Sequence, residues 1–135
     1  MSTVLIVEDD CSIRELLHAL FDPTSGFEAC VEVGDGVEAV DRTTHLLPNL
    51  VVLDLSLPGT NGMQLARQLK TITPQLPIFM LTSDYTASIE KEALACGITA
   101  VFSKLDDLSP VLANARAVCG IESAIDEPFS APCAE

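Results

Sequence analysis

The side chains best placed for chemistry come directly after apolar, β-prone runs. Val4-Leu5-Ile6-Val7 is followed by Glu8-Asp9-Asp10, Leu50-Val51-Val52-Leu53 by Asp54, the run from Pro77 to Leu81 by Thr82-Ser83-Asp84, and the run from Thr99 to Ser103 by Lys104. A carboxylate that ends a buried strand needs a reason to stay charged. If Glu8, Asp9 and Asp54 share one pocket, like charges a few ångströms apart must take up protons or hold a cation, and oxygen-only ligands favour hard Mg²⁺. Such an ion also neutralises an incoming phosphoryl group, which lets the Asp54 carboxylate attack phosphorus in line and form an acyl phosphate. The Thr82 hydroxyl can then bond a phosphoryl oxygen, and Lys104 supplies a second positive charge. Arg14, Arg42, Arg67, Lys70, Lys91 and Arg116 fall within predicted helices, so Lys104 alone of the basic residues stands at a strand end.

What must position these groups is legible in the alternation of the chain. Apolar runs at residues 4–7, about 27–33, 50–53, 77–81 and 99–103 alternate with helical patterns. That order is the mark of a parallel sheet with helices on both faces. Ile13, Leu16, Leu17 and Leu20 recur at helical spacing, as do Leu108, Val111, Leu112 and Ala115. Asp22-Pro23, Gly34-Asp35-Gly36, Leu47-Pro48, Pro58-Gly59, Pro74 and Gly97 punctuate the elements. The expected fold is α/β: a doubly wound (βα)₅ unit with a five-stranded parallel sheet. Right-handed crossovers with a flavodoxin-like strand order of 2-1-3-4-5 set strand 1 beside strand 3 and gather Glu8, Asp9 and Asp54 at the carboxyl edge, where such sheets bind ligands.

Bulk properties exclude other classes. The 135 residues suit one domain, and a 48% hydrophobic content excludes a disordered chain. Apolar runs are too short to span a bilayer. Twenty acidic residues against seven basic ones leave a formal charge of −13, which repels nucleic acid and anionic membrane. The N-terminus has no secretory features, so the expected location is cytoplasmic. Cysteines at 11, 30, 96, 119 and 133 form no CxxC pair and have no zinc-type spacing with histidine; they read as reduced thiols. Residues 121–135, with Pro128 and Pro132 and no periodicity, read as a C-terminal tail or truncated linker, too short for an output domain.

Val4-Leu5-Ile6-Val7-Glu8-Asp9-Asp10, Leu53-Asp54-Leu55-Ser56-Leu57-Pro58-Gly59 with Gly62, Leu81-Thr82-Ser83 and Ser103-Lys104 resemble the motifs of the response-regulator receiver family, over residues 3 to about 120. The resemblance implies a receiver domain at 1–120 acting as a phosphorylation switch of a two-component system, not a conventional enzyme. Asp54 would accept a phosphoryl group from a sensor histidine kinase or phosphotransfer protein. Asp9 and Asp54 would ligate Mg²⁺, with Glu8 acting directly or through water and the Ser56 carbonyl completing the protein's share. Thr82 and Lys104 would contact the phosphoryl group, Ser56 and Asp84 would tune its hydrolysis, and the face of helix 4, strand 5 and helix 5 would be read by an effector protein or output domain.

Two positions depart from the family pattern. Leu105 follows the lysine where a proline, commonly cis, is usual; a trans peptide is expected because a non-proline cis bond costs about 2.5–4 kcal/mol. Val101 stands where many relatives have a switching Tyr or Phe. Plainer roles compete at several sites: Asp10 reads as a helix cap, and His18 and His45 as surface residues rather than phosphorelay histidines. Among rival functions, a haloacid-dehalogenase-type phosphatase needs a second Asp where Ser56 stands. A flavodoxin-like cofactor binder needs an anion loop where Glu8-Asp9-Asp10 would repel phosphate. An unphosphorylated adaptor with this fold is left open by Leu105 and Val101.

Overall fold

The computed structural model describes residues 2–120. The chain runs β1 (Ser2–Val7), α1 (Cys11–Leu20), a 3₁₀ turn (Pro23–Ser25), β2 (Phe27–Val33), α2 (Gly36–Leu46), β3 (Leu50–Asp54), β4 (Ser56–Leu57), β5 (Thr60–Asn61), α3 (Gly62–Ile72), β6 (Ile78–Thr82), α4 (Ala87–Ala95), β7 (Ala100–Ser103) and α5 (Ser109–Cys119). Five strands form one parallel sheet in the order β2-β1-β3-β6-β7. Counting those five alone, this is the expected 2-1-3-4-5 arrangement. The added β4 and β5 form a two-residue antiparallel ribbon in which Pro58 and Gly59 turn the chain; Gly59, at φ +70°, takes the left-handed conformation that favours glycine.

The near-continuous apolar strands are explained by burial on both faces. Leu5, Val7, Val51, Leu53, Ile78 and Met80 pack with Ala39 of α2, Leu65, Ala66 and Leu69 of α3 and Ala93 of α4. Their neighbours Val4, Ile6, Leu50, Val52, Phe79 and Leu81 point the other way, against Leu17 of α1, Phe21 just after it, and Val111 and Ala115 of α5. Each large side chain removed from water here contributes about 1.5–3 kcal/mol. Phe21 and Phe27 close the second layer edge to face, with ring centroids 4.8 Å apart. The helical stripe read in α1 holds only in part: Leu17 is buried, whereas Leu16 is 55% exposed. A helix lying on one sheet face buries a narrower arc than the four apolar positions cover.

Four of the five helix starts among the described residues are fixed by side chains, α5 being the exception. Asp10 accepts from the Ser12 and Ile13 amides, Asp35 from Glu38, Asn61 from Met63 and Gln64, and Thr86 from Ile89. Asp10 is therefore a cap, as expected.

Candidate functional site

Strand register gathers the polar residues at one edge. Val7 pairs with Leu53 across β1 and β3, so Glu8 and Asp54 follow as neighbours. Asp54 in turn pairs with Leu81, and Thr82 with Ser103. Hydrogen bonding continues just past the strands: the Glu8 amide donates to the Val33 carbonyl at 3.1 Å, the Leu55 amide to Leu81 at 2.9 Å, and the Lys104 amide to Thr82 at 2.8 Å. These bonds fix the backbone from which each functional side chain departs. Asp54 and Thr82 prove to be the last residues of their strands rather than the first beyond them, because the ladder runs one residue further than the apolar runs.

Glu8 is fully buried and Asp54 is 2% exposed. Lys104 reaches between them: its Nζ lies 2.9 Å from Glu8 Oε1 and 3.0 Å from Asp54 Oδ1, and donates to Glu8 Oε2 at 3.1 Å. Oε1 has that ion-pair contact but no hydrogen bond, and it is buried. Burial pushes the Glu8 carboxyl up to about 7, opposed by hydrogen bonds from Lys104 and the Asp10 amide and reinforced by the Asp54 charge. Burial also works against the Lys104 ammonium, but its hydrogen bonds to Glu8 and Asp54 and their charges outweigh it and raise its pKa. One ammonium thus leaves Glu8 under-compensated.

Asp9, exposed, completes the group: one carboxylate oxygen each from Glu8, Asp9 and Asp54 lie within 4.8 Å of one another. Three carboxylates against one ammonium leave two negative charges in excess, and every donor is a hard oxygen. Glu8 Oε1, buried without a hydrogen bond and held only by its contact with the Lys104 ammonium, and this excess fit a divalent cation such as Mg²⁺. The sequence reading left open whether Glu8 works directly or through water; its direct contact with Lys104 links residues 96 positions apart and has no local signal.

The remaining predicted residues surround this group. The Ser56 amide donates to Asp54 Oδ1 at 3.1 Å, while its side chain is exposed. Thr82 is buried, and its Oγ1 accepts from the Asp84 amide at 3.0 Å, which leaves the hydroxyl proton free for another acceptor. The Lys104–Leu105 peptide is trans, and Lys104 reaches the carboxylates nonetheless. Val101 is buried in the layer that holds Ala93 and Ile98. Both histidines are exposed, His18 against the Glu32 carboxylate and His45 bonded to the Asp41 carbonyl. Gly62, quoted only as part of a motif, has a role that sequence reading did not assign. A Cβ there would lie 2.6 Å from the Asp54 carbonyl oxygen and 2.7 Å from Leu55 Cα, so only glycine lets α3 start directly against the end of β3.

Residues 4–115 match the family model for the response regulator receiver domain. The chain is 34% identical over 128 residues to the response regulator MprA of Mycobacterium sp. (strain KMS), covering 94% of this chain and 54% of that protein. It is 30% identical to the transcriptional activator protein ExaE of Pseudomonas putida, covering 94% and 59% respectively. The chain thus spans little more than half the length of these relatives. Among solved structures, the BeF3-activated N-terminal receiver domain of RstA from Klebsiella pneumoniae superposes with a TM-score of 0.78 at 29% identity, covering 87% of this chain and 97% of that one. A LuxR-family two-component response regulator from Aurantimonas sp. SI85-9A1 shares the fold at a TM-score of 0.81 and 22% identity, over 89% of this chain and 86% of that one. The chain therefore belongs to the response-regulator receiver domains, signalling domains of two-component systems.

Proposed function

We propose that residues 1–120 form a phosphoacceptor switch in which Asp54 receives a phosphoryl group from a phosphohistidine of a sensor kinase or phosphotransfer protein in the cytoplasm. The observation that carries this reading is Lys104 bridging the buried Glu8 and Asp54 carboxylates beside Asp9. Both contacts to Asp54, from the Ser56 amide and from Lys104, fall on Oδ1. They orient the carboxylate and leave Oδ2 to attack phosphorus, forming the O–P bond as the P–N bond to the donor imidazole breaks. Glu8, Asp9, Asp54 and the Ser56 carbonyl would hold Mg²⁺. When bound, that ion supplies charge neutralisation for the carboxylates and the incoming phosphoryl oxygens.

Once Asp54 is phosphorylated, Lys104 keeps an anionic partner in the phosphoryl oxygens, and the Thr82 hydroxyl turns its free proton toward another of them. Ser56 and Asp84, both exposed, would govern water access and so the phosphoryl lifetime. The face of α4, β7 and α5 then changes for an effector protein or output domain, and residues 121–135, outside the described residues, serve as tail or linker. The test is incubation with acetyl phosphate and Mg²⁺ followed by intact mass measurement. One phosphoryl group per chain is expected, abolished by a chelator and by Asp54→Asn. An unmodified wild-type protein that also shows no chemical-shift response to beryllofluoride would instead support the adaptor.

A further inference from the structure

On the α1 side of the sheet, away from the Asp54 pocket, the fold assembles a second group of ligating side chains. His18 of α1 and Cys30 and Glu32 of β2 each offer one donor atom, and these atoms lie within 4.8 Å of one another. Cys30 and Glu32 are two residues apart on one strand and so project from the same face. Their pairing with Val4 and Ile6 of β1 sets them over the layer that α1 covers. His18 follows the buried Leu17, which anchors that turn of the helix. The imidazole Nδ1 already contacts the Glu32 carboxylate, while Cys30 is half-buried and His18 is 56% exposed.

We propose that His18, Cys30 and Glu32 form a zinc site. An imidazole nitrogen, a sulfur and a carboxylate oxygen are a mixed borderline set that suits Zn²⁺ and does not suit Mg²⁺ or Ca²⁺. Tetrahedral ligands at about 2.0–2.3 Å from zinc stand roughly 3.3–3.8 Å apart, so atoms as far apart as 4.8 Å draw in by about 1 Å while the His18–Glu32 contact opens, both by side-chain rotation. The exposed flank of His18 leaves the fourth position to water. Binding exchanges cation for protons: the ion takes the place of any proton between His18 and Glu32, the Cys30 thiol releases its proton to solvent, and the neutral imidazole, thiolate and carboxylate balance the two positive charges. The bound ion ties α1 to β2, an edge strand of the sheet, and thereby holds the helix that starts just after Asp9.

Spacing along the chain gives no hint of this group, because its members come from two elements joined only by tertiary packing. The test uses the full chain, stripped with a chelator, then titrated with Co²⁺ in excess Mg²⁺ so that the acidic pocket is filled. A thiolate-to-cobalt charge-transfer band is expected, which oxygen ligands alone cannot give. It should bleach when Zn²⁺ is added, vanish in Cys30→Ser and persist in Cys11→Ser. His18→Ala, at an exposed position that should not disturb folding, should weaken cobalt binding by at least about tenfold, since even outer-shell changes cost that much. Absence of the band in the wild type, or its survival in Cys30→Ser, overturns the proposal. So does unchanged affinity in His18→Ala.

Discussion

Replacing Lys104 by methionine keeps most of the aliphatic stem and removes only the ammonium that joins Glu8 to Asp54. The Lys104 side chain is 15% exposed and the Glu8 side chain fully buried, so solvent does little to compensate the loss. Removing one partner of such a buried pair costs about 3–5 kcal/mol, because the opposing charges stay behind without compensation. The cost has a ceiling, since Glu8 can take up a proton. Its carboxyl already stands at about 7 against an ordinary 4.5, and loss of the nearby cation moves it further up. With a folded-state pKa above the unfolded one, the folded chain binds more protons, so stability is fully present below the unfolded value and is lost as pH rises through the folded one. In the wild type this window runs from about 4.5 to about 7 and is worth roughly 3 kcal/mol at about 1.4 kcal/mol per pH unit. In Lys104→Met it extends further upward. Urea unfolding followed by circular dichroism, with chelator present, should therefore show a loss of about 3–5 kcal/mol near pH 8 and a clearly smaller loss near pH 5. Equal stability of the two proteins at both pH values, or a loss that does not change with pH, would refute the reasoning.

Other parts of the fold yield shorter tests. Gly62→Ala drives a methyl group into the Asp54 carbonyl and Leu55, and should cost about 3 kcal/mol or more in urea unfolding. It should also impair reaction of Asp54 with acetyl phosphate, and a fully stable, fully reactive variant would contradict the close approach. Asp10→Ala removes the α1 cap and should cost about 1 kcal/mol, with uptake of the phosphoryl group retained. Burial, with the Glu32 charge in support, pushes the Cys30 thiol up to about 12, whereas Cys11 is exposed. Timed iodoacetamide labelling in chelator, read by peptide mass, should modify Cys30 roughly a hundredfold or more slowly than Cys11, and comparable rates would show that Cys30 is not shielded.

The sheet was legible because β1, β3 and β6, covered on both faces, are almost wholly apolar up to their ends, whereas the edge strand β2 carries Glu28 and Glu32. Glu8, Asp54, Thr82 and Lys104 therefore mark the carboxyl edge in the sequence itself, and topology supplies their meeting. Boundaries were less legible. Apolar character stops at Leu53 and Leu81, but the hydrogen-bond ladder continues to Asp54 and Thr82. The β4–β5 ribbon was visible only as the Pro58-Gly59 turn, because two-residue strands have no periodicity to detect. Leu16 satisfies the helical spacing as well as Leu17 does, yet only the packing of α1 on the sheet separates the exposed residue from the buried one. The Glu8–Lys104 contact and the grouping of His18 with Cys30 and Glu32 lie beyond any local pattern. Each joins side chains whose proximity exists only after β1, β2 and β7 have taken their places.

The two departures from the family pattern bear on the output path more than on the acceptor pocket. Lys104 reaches Asp54 with a trans peptide to Leu105, so that contact does not depend on the missing proline. What changes is how Thr82 can report. Its Oγ1 holds the Asp84 amide, two residues before Thr86, the residue that caps α4. On the proposed function, drawing the hydroxyl toward a phosphoryl oxygen would carry the bonded Asp84 amide with it and shift the backbone at the entrance to α4. Where an aromatic side chain would follow Thr82 into the vacated space, this chain has Val101, a short, buried side chain packed in the same layer as Ala93 of α4 and Ile98. A valine cannot swing between an inward and an outward position as a ring does. In the proposed switch the displacement would instead pass through the bond from the Asp84 amide to Thr82 Oγ1 into the first turn of α4, and from there to the α4, β7 and α5 face.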